Sequence, residues 1–148
     1  MSDASNRSQL DDLAAIEAIK QLKARYFRLM DTKQWDEWAE VFAVDAVMEV
    51  PEADMHETGR DNILRVVQGA MKRSRSAHHG HMPEIEITGP DSARGIWAMF
   101  DYVEWPQKDG SVTGLRGYGH YYEEYVRDGG RWRIARLRLE RLRVDPLA

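Results

Sequence analysis

The spacing of the apolar residues changes once, after Ser76, and that change constrains the fold more than any other feature of the chain. Before it, apolar side chains recur at three- and four-residue steps, as on one face of a helix. After it they alternate, as along a strand. Leu13, Ile16, Ile19, Leu22, Tyr26, Leu29 and Met30 predict a helix over 11–30, with Lys20, Lys23, Arg25 and Arg28 on its remaining faces. Trp35, Trp38, Val41 and Phe42 predict a second helix over 34–42, and the short link at 31–33 makes the two helices neighbours. Residues 46–50 have strand composition and stop at Pro51, and 52–57 read as a polar turn. Thr58 and Asp61 resemble a capping box opening a third helix, whose face is Ile63, Leu64, Val66, Val67, Ala70 and Met71.

In the second half, strands are expected at 78–88, 93–105, 113–126 and 131–144. The turns between them are marked by Gly89 to Asp91, Lys108 to Gly110 and Asp128 to Gly130, residue types that favour tight turns. Turns this short join antiparallel neighbours. A sheet of such long strands must curl, and three helices on its concave side would leave a cone with a pocket at the open end. The expected class is therefore α+β: one domain over 11–148, preceded by a flexible polar segment at 1–10. The strand at 93–105 is apolar on both faces, with Trp97, Met99, Val103 and Trp105 opposite Ile96, Ala98, Phe100 and Tyr102. A sheet wet on one side should alternate instead, so a homo-oligomer, dimer or trimer, is expected.

Composition excludes several functions. The chain has 148 residues, a formal net charge of −4 and no cysteine. Disulfides and thiolate metal sites are absent, and the charge disfavours nonspecific nucleic-acid binding. No apolar run is long enough for a membrane span and no signal-peptide pattern is visible, so a cytoplasmic protein with no membrane or nucleic-acid partner is expected. Arg131, Arg133, Arg136, Arg138, Arg141 and Arg143 crowd the last strand and read mainly as a solvated or interface face. Arg141 shares parity with Leu137 and Leu139 and points inward, opposite Arg136 and Arg138. Asp101 shares a face with Trp97 and Met99, where a charge needs a partner or a cavity. Phosphate-loop, dinucleotide and Gly-x-Ser-x-Gly signatures are missing.

Asp31 closes the first helix and His78, His79 and His81 enter the first long strand. A carboxylate that fixes an imidazole makes a general base near neutral pH without a metal. Any of the three histidines could serve. Simple alternation puts His79 and His81 with Ile85 and Ile87 and sends His78 to the other face; a bulge or bend near Gly80 or Pro83 would reverse that parity. A metal site is the rival reading, with His79 and His81 side by side and His56 or His120 joining them. No clustered carboxylates complete such a set, so no metal or cofactor is expected.

Residues 15–28, 30–37 and 78–85, the last carrying His78-x-Gly80-His81-x-Pro83-Glu84-Ile85, resemble the SnoaL-like branch of the nuclear transport factor 2-like superfamily. Within it, the similarity is to the bile acid 7α-dehydratases and, more broadly, the scytalone dehydratases. The resemblance implies a cystatin-like roll, a curved antiparallel or mixed sheet wrapped around three N-terminal helices. It also implies His78 as general base, Asp31 as the carboxylate that orients it, and Tyr26, Asp101 and Arg141 as substrate contacts. The implied activity is cofactor-independent dehydration, or isomerisation by proton transfer, of a hydrophobic small molecule that is steroid-like or resembles an aromatic polyketide. A noncatalytic binding or assembly protein of the same fold is the alternative. The small subunit of a ring-hydroxylating dioxygenase is a third reading, which would leave the Asp–His pair unexplained.

Overall fold

In the computed structural model, which describes residues 2–147 and the side chains of 8–147, the helical stripe becomes α1, Ser2–Asp31. Its buried face is Ala15, Ile19, Leu22, Tyr26, Phe27, Leu29 and Met30. Met1 and the side chains of 2–7, most of the segment expected to be flexible, lie outside the described residues. Two positions differ from the amphipathic reading: Leu13 is 62% exposed, ahead of the first buried residue, while Lys23 is wholly buried. The second helix, α2, is only Trp35–Ala39, because Phe42 already begins β1, Phe42–Val50. The stretch read as a turn holds a 3-10 turn, Pro51–Ala53, and an edge strand, β2, Met55–Thr58, pairing antiparallel with β1. Its polar composition is what an edge tolerates and what hid it. Helix α3, Arg60–Met71, is capped by Gly59 and not by the Thr58 side chain. Thr58 is held in the ladder opposite Val47, and the Gly59 N–H donates to the Ala46 carbonyl at 2.7 Å.

The four long strands follow as β3 (Arg75–Gly89), β4 (Ser92–Pro106), β5 (Val112–Asp128) and β6 (Arg131–Pro146). They form the expected antiparallel meander. The six-stranded sheet has the order β2-β1-β6-β5-β4-β3, and β1 runs parallel to β6, which makes it mixed. Together with the three helices it is the α+β curved roll. Bulges set which side chains face inward. Between Gly80 and Pro83 the register against β4 slips: Gly80 pairs with Met99 and Pro83 with Trp97. Two further slips fall on β6, one at Ala135 and one at Leu142. The second lies beside Arg141.

The concave face packs Trp97, Met99, Tyr121, Tyr125, Leu137 and Leu139 into one core with α1. Trp38, fully buried, meets Phe42 at 4.9 Å and Tyr26 at 5.7 Å between ring centroids. One charged pair sits inside this core. Lys23 Nζ lies 2.7 Å from Glu123 Oε2, with both side chains fully buried. The Tyr125 hydroxyl donates to Glu123 Oε1 at 2.7 Å and accepts from the Trp97 indole at 2.8 Å. The ammonium also lies 3.8 Å from the Tyr26 ring centroid and 3.6 Å from that of Tyr121.

This core titrates from the alkaline side. Burial lowers Lys23 to about 8 despite Glu123, against 10.5 for a free lysine. The Tyr26, Tyr121 and Tyr125 phenols are pushed above their ordinary 10.0, chiefly by burial. Between about 8 and 10.5 the unfolded chain therefore holds a proton that folded Lys23 releases, and stability gains with pH. Above about 10 the unfolded tyrosines ionise while the folded ones do not, and their contribution is lost as pH rises further. The urea midpoint is expected to hold or rise from pH 8 to about pH 10 and to fall steeply above it; a steady fall beginning at pH 8 would contradict these assignments.

Candidate active site

Helix α1 ends at Asp31 because the chain turns there: Lys33 adopts a left-handed φ of 59°, and the Gln34 N–H donates to the Leu29 carbonyl. The corner aims the Asp31 carboxylate at β3. Oδ2 accepts the His78 backbone N–H at 2.8 Å. Oδ1 accepts the Ser76 hydroxyl at 2.9 Å and lies 2.6 Å from His78 Nδ1. Partial burial works against the charge on Asp31, but the bonds from the His78 ring, the His78 N–H and Ser76 outweigh it and hold the carboxyl below the usual aspartate value. An ionised carboxylate only accepts, so the Nδ1 proton belongs on the bond to Asp31 and Nε2 is the free acceptor.

The slip between Gly80 and Pro83 resolves the histidine parity. Upstream of it His78 and Gly80 face inward; downstream Pro83, Ile85 and Ile87 do. His78 has a side chain 7% exposed, whereas His79 and His81 lie on the exposed side. His79 stacks on Phe100 with centroids 5.7 Å apart. Among the described residues no group of three His, Cys, Asp or Glu gathers in a way that could hold a metal ion.

His78 Nε2 faces Asp101 Oδ2 across 3.9 Å. Asp101, 2% exposed on the inner face of β4, is engaged by Arg141 through two parallel bonds of 2.8 Å. The Arg141 backbone N–H, beside the Leu142 bulge, donates to Glu52 Oε1 at 2.6 Å. Burial works against the Arg141 charge, and Asp101 more than compensates, so its pKa is raised. Tyr26 is buried one turn before Asp31, its phenol within reach of the Tyr121 hydroxyl and the fields of Asp101 and Asp31. The five residues singled out from the sequence thus gather at one end of α1. Asp31 joins His78, Asp101 joins Arg141, and Tyr26 lies behind them with Tyr121.

Sequence reasoning missed several members of this cluster. Ser76 bridges the Asp31 carboxylate and Lys33, whose Nζ donates to Ser76 Oγ at 3.1 Å and Ser74 Oγ at 3.0 Å. A signal existed for Ser76, two residues before His78 and hence on the same face of β3. Tyr121 and Glu123 alternate with Tyr125 on the inner face of β5 in the same way. Four surface clefts of 200 to 960 Å³ are lined by residues other than Tyr26, Asp31, His78, Asp101 and Arg141.

A model of the SnoaL-like domain matches residues 11–138. The chain belongs to the SnoaL-like family. This SnoaL-like protein is 26% identical over 134 residues to the probable cyclase FGR4 of Gibberella zeae, covering 84% of this chain and 89% of that one. Among solved structures, a candidate scytalone dehydratase of Novosphingobium aromaticivorans matches with a TM-score of 0.82 at 20% identity, over 95% of this chain and 92% of the other. At that identity the likeness concerns the fold alone. The hexachlorocyclohexane dehydrochlorinase LinA-type3 of Novosphingobium barchaimii matches with a TM-score of 0.80 at 25% identity, over 95% and 94%. No helix among the described residues is long and apolar enough to cross a membrane.

Proposed function

We propose that this SnoaL-like protein is a cofactor-independent lyase that dehydrates a hydrophobic, ring-containing small molecule, steroid-like or resembling an aromatic polyketide. The observation that carries the proposal is the 2.6 Å contact of Asp31 Oδ1 with His78 Nδ1, which leaves Nε2 free to accept a proton in a buried site. In the reaction, Nε2 takes a proton from a carbon next to a carbonyl. The electron pair flows into the carbonyl oxygen, and Arg141 or Tyr26 stabilises the oxyanion. Return of the pair expels a β-hydroxyl, which leaves as water with the proton from the imidazolium. Asp101 contacts substrate from the same wall. Proton return to a different carbon would make the same parts an isomerase. The structurally similar LinA-type3, 25% identical, carries the name of an elimination reaction, dehydrochlorinase, which supports this class.

The test is turnover of a panel of hydroxylated steroids and aromatic polyketides by the parent, His78→Ala and Asp31→Asn. Loss in both variants is expected. An active parent whose turnover survives both substitutions would refute the mechanism, and ligands bound by the parent without turnover would favour a noncatalytic binding protein. We also propose a homodimer or homotrimer. The outer face of β4 and β5 presents Ile96, Ala98, Phe100, Tyr102, Tyr118 and Tyr122, half-buried or exposed in the single chain, with Tyr118 37% and Tyr122 39% exposed. Light scattering at micromolar concentration is expected to give two or three chain masses; one chain mass would refute it.

A further inference from the structure

The pairing of Asp101 with Arg141 raises a question that the dyad alone does not. A carboxylate 3.9 Å from His78 Nε2 is positioned to seize the nitrogen that has to stay free. An imidazole held by carboxylates on both nitrogens is locked as imidazolium and is no base. Asp101 does not close on Nε2 because both its oxygens are taken by the Arg141 guanidinium, at 2.8 Å each. That two-bond grip requires the guanidinium to lie flat across the middle of β5.

Gly117 makes this possible. It stands opposite Asp101 on β5, in register with Val144 of β6. A β-carbon built on Gly117 would overlap Arg141 Nη1 and Asp101 Oδ1 and would lie 2.8 Å from Arg141 Cζ. The strand there does not need the backbone freedom of glycine, since Gly117 is absent from the residues with positive φ. Space, not conformation, is what the missing side chain supplies. Unbroken alternation with Leu137 and Leu139 points the Arg141 side chain inward towards that space, and Glu52 ties its backbone N–H beside the Leu142 bulge.

We infer that Gly117 is a positioning residue that seats Arg141 on the far side of Asp101 from His78, where its grip on both carboxylate oxygens shields Nε2 from Asp101 and keeps it available to act as a base. The inference rests on the reading of His78 as the general base. The charged and titratable groups around His78 are Asp31 from α1, Asp101 from β4 and Arg141 from β6. Behind them stand the Tyr26 and Tyr121 phenols, and Lys33 reaches Asp31 only through Ser76. Of these, Asp101 is the group whose partner the Gly117 space controls.

The experiment is an NMR titration of the His78 ring in the parent, in Gly117→Ala and in Gly117→Ala combined with Asp101→Asn, alongside thermal unfolding and the pH–rate profile. In Gly117→Ala the guanidinium is displaced, Asp101 turns to Nε2, and the His78 titration is expected to move up by about one unit or more. Adding Asp101→Asn should reverse the move, because a neutral amide does not hold an imidazolium. Arg141→Met, which creates no clash, should reproduce the upward move if Gly117→Ala does not fold. A purely structural glycine would lower the melting temperature and leave the titration where it was; that result overturns the inference. If the titration moves and the acid limb of the rate profile moves with it, the shield and the base stand together. If the titration moves while the rate profile does not, the shield stands and the base reading fails.

Discussion

Replacing His78 by alanine is expected to lower kcat/KM by about two to four orders of magnitude on any substrate the parent dehydrates, the range a positioned general base supplies. The melting temperature should move far less, because the ring makes a single side-chain bond, to Asp31, and that bond is only partly buried. Asp31→Asn should fall nearly as far for a different reason. Asp31 accepts three donors, the His78 N–H, the Ser76 hydroxyl and Nδ1–H. Asparagine offers one accepting oxygen and a donating amide. With its oxygen towards Ser76 and the ring, the amide meets the His78 N–H, donor against donor. Turned over, the amide donates to Nδ1 and forces the ring proton onto Nε2, the position that must be empty. Either arrangement damages the base without removing it. Retained activity in His78→Ala, with substrate turnover intact, would end the assignment.

The second large effect is on folding. Lys23→Met is expected to cost about 3 to 5 kcal/mol in urea unfolding, the usual penalty for stranding a buried ion. Glu123 would keep only the Tyr125 hydroxyl as donor, and the Tyr26 and Tyr121 rings would lose the ammonium between them. Lys23→Met combined with Glu123→Leu should recover most of the loss, since an apolar pair of similar volume often matches a buried ion pair. A loss below about 1 kcal/mol in the single variant would mean that water reaches Glu123.

Much of this architecture was legible. The stripe from Ile19 to Met30 and the alternation along the four long strands depend on apolar spacing, which tertiary contacts reinforce. What escaped depended on pairing. The edge strand Met55–Thr58 is polar because it has one neighbour and little to bury. Lys23 reads as a surface residue until Glu123, one hundred positions away, is known to face it. The inward turn of His78 hung on a bulge that Gly80 and Pro83 made conceivable but that only the register against Trp97 and Met99 locates. The residue types of the candidate site were readable as a set. The pairing of Asp31 with His78 was part of that reading; the pairing of Asp101 with Arg141 was not, because the two answer to each other across β5, over a glycine that carries no side chain to announce its role.

The most direct measurement is the ¹⁵N–¹H spectrum of the His78 ring at neutral pH. The proposed arrangement predicts a ring proton on Nδ1, shifted far downfield by Asp31 and lost or moved in Asp31→Asn, with Nε2 unprotonated. A neutral ring protonated on Nε2, indifferent to Asp31→Asn, would contradict it.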